Sequence, residues 1–207
     1  VIEPRATQEE MTNFIETELT ESLKGLPTRT TQFGRFDKGL AYTILMKYYM
    51  HEKNWAKAEE CGRELLKAEY GYGLMDRYAD IFTLENEGNK EIIFACTEER
   101  GTNLQLWHDH ALPGNYPTKN ASIQKWDGYK VPWPFYRTFE EGDDRLSVLV
   151  GEYVGTDGVL FNEESDIAKH GNLYSGAVPV KYGEDPESTG DGSQIDLVVY
   201  RYADVLT

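Results

Sequence analysis

Between Thr102 and Trp133 the residue types suit sugar recognition. Trp107, Tyr116, Trp126, Tyr129 and Trp133 fall among Asn, Gln, His, Asp and Lys side chains. A pyranose ring has a face of C–H groups that lies flat on an indole or phenol ring. Its hydroxyls need donors and acceptors at the ring edge. Gln105, His108, Asp109, Asn115, Asn120 and Gln124 offer both. Trp107, Trp126 and Tyr129 are the first candidates for ligand contact, with Tyr116, Trp133, His108 and Asp109 behind them. The competing reading is that these rings pack the segment onto the body, since Trp and Tyr carry large apolar area. Pro113-Gly114, Tyr116-Pro117 and Asp127-Gly128 punctuate the stretch and predict a long loop. Long ordered loops in compact domains are frequent carriers of function.

Other clusters point to less. In an extended segment His108-Asp109-His110 would put two imidazoles on one face, but two ligands without a third make no metal site. Glu184, Asp185, Asp191 and Asp196 do not follow a calcium-loop pattern. No metal and no cofactor are expected. Glu140, Glu141, Asp143 and Asp144 are neighbours in sequence, whereas glycoside hydrolysis needs two carboxyls facing each other across the sugar. Asp144-Arg145 reads as a structural ion pair. There is no Gly-x-Ser-x-Gly elbow, phosphate loop or dinucleotide fingerprint. Binding without catalysis is the expectation.

Composition narrows the partners. The 207 residues suffice for one domain with a sizeable core or two small ones. Aromatics make up 13% of them, too many for a disordered chain. A formal charge of −15 repels phosphate backbones and anionic membrane surfaces, so no nucleic acid is expected as partner. Cys61 and Cys96 are expected as two buried free thiols, although a disulfide between them is the alternative in an exported protein. No apolar stretch approaches membrane-spanning length. The chain begins at Val1 and stops at Thr207, in what reads as the first turn of a helix. A piece of a longer protein is expected.

The elements that must hold the aromatic stretch centre on Gly34 to Glu69. Tyr42, Leu45, Met46 and Tyr49 recur at helical spacing, as do Trp55, Ala58, Gly62 and Leu65. The break at 51–54 is short enough to force an antiparallel hairpin. Ala58 and Gly62 are expected to let the backbones approach, with Tyr49 and Trp55 filling the groove. Before it, Thr7-x-x-Glu10 caps a helix that runs to Leu23, with Met11, Phe14, Ile15, Leu19 and Leu23 on its apolar face. After it come a Gly71-Tyr72-Gly73-Leu74 turn, a short helix or turn over 76–82, and a strand at Glu91-Ile92-Ile93-Phe94-Ala95-Cys96. Residues 145–154 read as mixed strand, and 183–193 as a second polar loop.

The hairpin is similar to one tetratricopeptide-type repeat, from which Gly62 departs. One repeat cannot bury its face alone, so other elements must cover it. The whole order of landmarks resembles the SusD/RagB family of outer-membrane glycan-binding lipoproteins. They are the capped helix, the hairpin, Gly-Tyr-Gly-Leu, Tyr78-Ala79-Asp80-Ile81-Phe82, the Asn-rich turn from Asn86 to Lys90, Glu-Ile-Ile-Phe, Phe135-Tyr136-Arg137-Thr138-Phe139 before Asp144-Arg145, Lys181-Tyr182, and Arg201 to Leu206 as a further helix start.

The resemblance implies a mainly α, SusD-like fold. Residues 7–100 would form a helical part with the hairpin at 36–68. Residues 101–200 would be loop-rich with a few short strands, and 201–207 would begin a truncated helix. It further implies binding of an oligosaccharide at the bacterial surface and its delivery to a SusC-like TonB-dependent transporter. The full-length protein would reach the outer membrane through a lipid anchor. A protein-interaction scaffold built on helical repeats is the alternative.

Overall fold

The computed structural model describes residues 4–207. Two compact units alternate along the chain. The first runs through Leu74 and takes back Lys90–Ala95 and Val199–Thr207; the second comprises Met75–Asn89 and Cys96–Val198.

The first unit is helical. Helix α1 spans Gln8–Ser22 behind the expected capping box. The Thr7 hydroxyl accepts from the Glu10 N–H at 3.2 Å, and the Glu10 carboxylate accepts from the Thr7 N–H at 2.7 Å. Helix α2, Lys38–His51, is capped by the buried Asp37, whose carboxylate accepts from the Leu40 N–H at 2.9 Å. Asn54 caps helix α3, Trp55–Leu65. Lys53, with φ 58°, reverses the chain between them. Leu45, Met46 and Tyr49 of α2 meet Ala58 and Cys61 of α3. Leu19 and Leu23, from the end of α1, cover that cluster, as does Val205.

Four expectations are corrected here. Trp55 is 62% exposed and fills no groove. It is the first residue of α3, and side chains lean toward a helix's N-terminus, so the ring projects off the end of the hairpin. The buried stripe is Ala58, Cys61 and Leu65. A Cβ on Gly62 would stand 3.5 Å from Met46 Sδ, an ordinary contact, so close approach does not depend on that glycine. Met11 and Phe14 of α1 stay exposed, which leaves cover to the helix's last turn. Of the two cysteines only Cys61 is buried; Cys96 is exposed, and both thiols are free.

Strand β1, Ile92–Cys96, pairs with strand β7, Leu197–Arg201. The buried Glu91 accepts from Arg201 at 2.9 Å, and its carbonyl accepts from the Tyr202 N–H at 2.7 Å. The chain then enters a last turn of helix, Ala203–Leu206, of which Val205 packs on the hairpin while Leu206 stays exposed. Gly39 has a steric reason: a Cβ there would overlap the Tyr72 hydroxyl. No helix among the described residues is long and apolar enough to cross a membrane.

The second unit is built around a small sheet. Strand β6, Gly176–Pro179, is buried along its whole length. It lies between β2 (Val131–Pro132) and β3 (Leu149–Val150), antiparallel to both. Val131 faces Ala177 and Val150 faces Val178. A Cβ on Gly176 would collide with the Val131 carbonyl, so only glycine permits this pairing. Strands β4 (Glu152–Val154) and β5 (Leu160–Asn162) form a hairpin. Trp133, Tyr153, Leu173, Ala177 and Val178 make the core with Ala111, Leu112 and Ile123.

This packing sets two expected outcomes. Leu65 is 1% exposed. Leu65→Ala should cost about 2–5 kcal/mol in urea unfolding, whereas Trp55→Ala should stay within about 0.5 kcal/mol. A thiol reagent at pH 8 should modify Cys96 in the native protein. Cys61, whose thiol burial pushes up to about 11, should react only on unfolding.

Candidate functional site

Residues 102–133 are not one long loop. Trp107–Ala111 forms a short helix, α4, and Val131 starts β2. The segment between them folds back on α4 through its backbone. The Trp126 N–H donates to the Asp109 carbonyl at 2.6 Å, and the Asp127 N–H to the Leu112 carbonyl at 3.1 Å. The N–H groups of Gly128 and Tyr129 share the His110 carbonyl at 2.5 and 2.7 Å. These acceptors are carbonyls that a helix end leaves without intrahelical partners. Asp127 takes the left-handed turn, φ 54°, that the Asp-Gly pair suggested. Its carboxylate pairs with the Lys130 ammonium.

The consequence is a row of rings. Trp126 meets the His110 ring edge-on at 4.8 Å, and His110 stacks on Tyr129 at 4.9 Å. Tyr129 meets Trp107 at 5.5 Å, and Trp107 meets Tyr182 at 5.6 Å. Tyr182, Phe82 and Tyr78 continue the row at 5.5 and 5.1 Å. Trp126 and Tyr129 are 45% and 43% exposed, so the outer end of the row is open. Trp107 is held by its indole N–H, which donates to the Pro179 carbonyl at 3.0 Å.

Beside the row lies a cleft of about 680 Å³. Trp107, Tyr129, Tyr78 and Phe139 give it aromatic walls, and Lys130, Arg145 and Lys181 stand at its border. The cations are engaged. Arg145 Nε reaches both Asp143 oxygens, at 2.9 and 3.1 Å, with its guanidinium 4.9 Å from the centre of the Phe139 ring. The Lys181 ammonium sits 4.5 Å from the Phe82 ring centre. Arg145 in turn holds the Asp143 carboxyl below its usual range. The expected Asp144–Arg145 ion pair is therefore wrong by one residue. Asp143 is the N-cap of the short 3-10 turn that follows, so its carboxylate reaches the Arg145 N–H as well as the guanidinium, while Asp144 accepts from the Tyr78 N–H.

The candidates named from sequence divide. Trp126, Tyr129 and Trp107 come together in the row. Trp133 does not, because it is a core residue whose indole donates to the Leu173 carbonyl at 2.8 Å. Tyr116 is half-buried against the same core, tilted on Tyr153. His108 and Asp109 are buried. In a helix, unlike a strand, residues two apart do not share a face, so His108 turns inward while His110 turns to the row. Asp109 accepts from the Gly192 N–H at 3.0 Å, and its near oxygen is 3.3 Å from His108 Nε2. Burial pushes the His108 imidazole down, toward its neutral form, and the Asp109 carboxyl up.

The acidic residues of the second loop brace the backbone. Asp185 pairs with Arg100 at 2.8 Å and caps the Glu187 and Gln194 N–H groups. Glu184 accepts from the Lys119 and Asn120 N–H groups. Asp196 accepts from the Glu98 N–H at 2.8 Å. Tyr78, Phe82, Phe139 and Tyr182 were not foreseen as part of the row or the cleft. They lie outside residues 102–133, and only the Tyr-Ala-Asp-Ile-Phe, Phe-Tyr-Arg-Thr-Phe and Lys-Tyr landmarks marked their places.

No protein-family model matches this chain, and no curated protein matches it in sequence. Solved structures do match in fold. A SusD superfamily protein from Parabacteroides distasonis superposes with a TM-score of 0.74 at 18% identity, over 98% of this chain and 45% of its own. Surface glycan-binding protein A from Bacteroides thetaiotaomicron, in complex with laminarihexaose, gives 0.72 at 19% identity, over 97% and 49%. A laminarin-binding SusD-like protein gives 0.68 at 20%, again over 97% and 49%. The fold is therefore SusD-like and mainly α, as the landmarks implied. The chain spans about half the length of these structures.

Burial separates Trp126 from Trp133 experimentally. Trp133→Ala should lower unfolding free energy by about 3–5 kcal/mol. Trp126→Ala should change it by no more than about 0.5 kcal/mol.

Proposed function

We propose that this SusD-like chain binds a glycan without turning it over, on the aromatic row from Trp126 through Tyr129 to Trp107. One observation carries the reading. The sequence places Trp126 and Tyr129 in a segment that could have packed them inward, yet the backbone bonds to α4 hold both rings half-open, and Tyr129 lines a cleft with aromatic walls. An aromatic surface of this kind suits the C–H face of a pyranose. Two structural neighbours support it, one solved with laminarihexaose and one described as laminarin-binding. Among the described residues the cleft is bordered by Lys and Arg rather than by Asp or Glu. Hydrolysis would require two carboxyls there.

In the longer protein the bound oligosaccharide passes to a SusC-like TonB-dependent transporter, and a lipid anchor holds the complex at the outer membrane. The likeness in fold supports this wider role, and co-purification of the full-length protein with a transporter tests it.

The binding reading is tested by calorimetry against a panel of oligosaccharides that includes laminarihexaose. A stacked ring contributes on the order of 1 kcal/mol, about tenfold or less in affinity. Replacing Trp126 and Tyr129 together by Ala should weaken binding by about tenfold or more, with stability unchanged. Longer chains should bind better than short ones through added contacts. Undiminished affinity in the double variant, or new reducing ends during incubation, would overturn the reading.

A further inference from the structure

A second cavity of about 200 Å³ lies behind Trp107. Trp107 and Pro179 line this chamber and the outer cleft alike, and the indole–carbonyl bond between them ties that shared wall. Tyr116 and Tyr182 give the chamber two more aromatic walls, Ala111 and Leu112 close it on the α4 side, and Glu184 stands on its border.

His108 also lines it, and this residue has no structural explanation so far. It is 2% exposed, yet neither ring nitrogen has a hydrogen-bond partner in the protein. Leaving buried polar atoms unpaired costs about 1–3 kcal/mol for each group. An apolar residue in that place would avoid the cost. Asp109 is 3.3 Å from Nε2 without forming a hydrogen bond, and its other oxygen is also unpartnered; Glu184 and Asp185 are further acidic neighbours of the ring. An imidazole kept neutral by burial offers one donor and one acceptor, which is what a sugar hydroxyl pair or a water cluster needs.

We propose that this chamber, walled by Trp107, Tyr116 and Tyr182, is a separate subsite for a single neutral hexopyranose unit with its hydroxyls on His108. The volume equals that of roughly seven waters, room for about one sugar ring. The aromatic walls suit C–H faces. The choice of sugar as ligand class rests on the glycan reading above; the place rests on His108 alone. The unit arrives either as a free monosaccharide or as the end of a chain lying in the outer cleft.

The test follows the His108 ring nitrogens by NMR in the whole chain labelled with 15N-histidine, assigned by the signal lost in His108→Gln. The protein is titrated separately with glucose, galactose, mannose and laminarihexaose. At least one free hexose should shift His108 saturably, with a dissociation constant in the millimolar range, and leave His51 and His170 unmoved. Tyr129→Ala should not abolish that shift, and His108→Leu, which cannot bond a hydroxyl, should abolish the binding. A His108 shift with laminarihexaose as well identifies the chain end as a source; a shift with free hexose alone identifies the monosaccharide. If no sugar moves His108 while laminarihexaose still binds, the chamber holds water and this inference falls, with the cleft reading intact. If a hexose moves His108 while no glycan binds the cleft, the chamber stands and the cleft reading falls. Silence in both overturns both.

Discussion

The site depends on one backbone constraint. Four N–H groups between Trp126 and Tyr129 are spent on three carbonyls at the end of α4. A helix of five residues has little stability of its own, and a loop rich in polar residues has little reason to stay in one place. Each supplies what the other lacks: the loop satisfies carbonyls that the helix end would leave unpaired, and the helix fixes the loop's register. Asp109 strengthens the arrangement from below. Its carbonyl takes the Trp126 N–H, and its buried carboxylate takes the Gly192 N–H of a different loop. The rings of His110, Trp126 and Tyr129 stand where they do because the backbone beneath them is tied.

This explains how exposed aromatics persist on a strongly acidic, polar chain. Removing a ring from water is the largest single gain available to Trp or Tyr, and Trp133 takes it, sealing the core with its N–H satisfied. Trp126 does not, since its backbone is anchored first and its side chain must follow. His110 then covers one side of Tyr129 and meets Trp126 edge-on, which limits the exposed apolar area without hiding it. Trp107 marks the boundary between an open aromatic surface and a smaller, more enclosed chamber, and its bond to Pro179 ties it to the most buried strand of the second unit.

Much of the fold was legible because it rests on local rules. The Thr7–Glu10 capping box, the hairpin, the Glu-Ile-Ile-Phe strand and the turn at Asp127-Gly128 all follow from neighbouring residues. The order of such landmarks sufficed to imply the SusD-like architecture. Legibility failed where tertiary geometry chose among equivalent local patterns. Trp55 continues the apolar stripe of α3 by spacing, but it lies off the end of the hairpin. His108-Asp109-His110 reads differently as strand and as helix, and the helix turned one imidazole inward. Arg145 had two acidic neighbours, and capping decided between them. The aromatic segment stood out by composition, yet Trp126 and Trp133 are alike in sequence and opposite in burial. Tyr78, Phe139 and Lys181 joined the cleft from outside the 102–133 segment, on either side of it.

The central claim is that the open rings of the row are a sugar platform. A crystal structure of the chain soaked or grown with the tightest-binding oligosaccharide tests it most directly. The account predicts density for a pyranose lying flat on Tyr129 or Trp126, with the chain continuing along the cleft toward Phe139. Sugar bound elsewhere, with both rings still facing solvent, would contradict it.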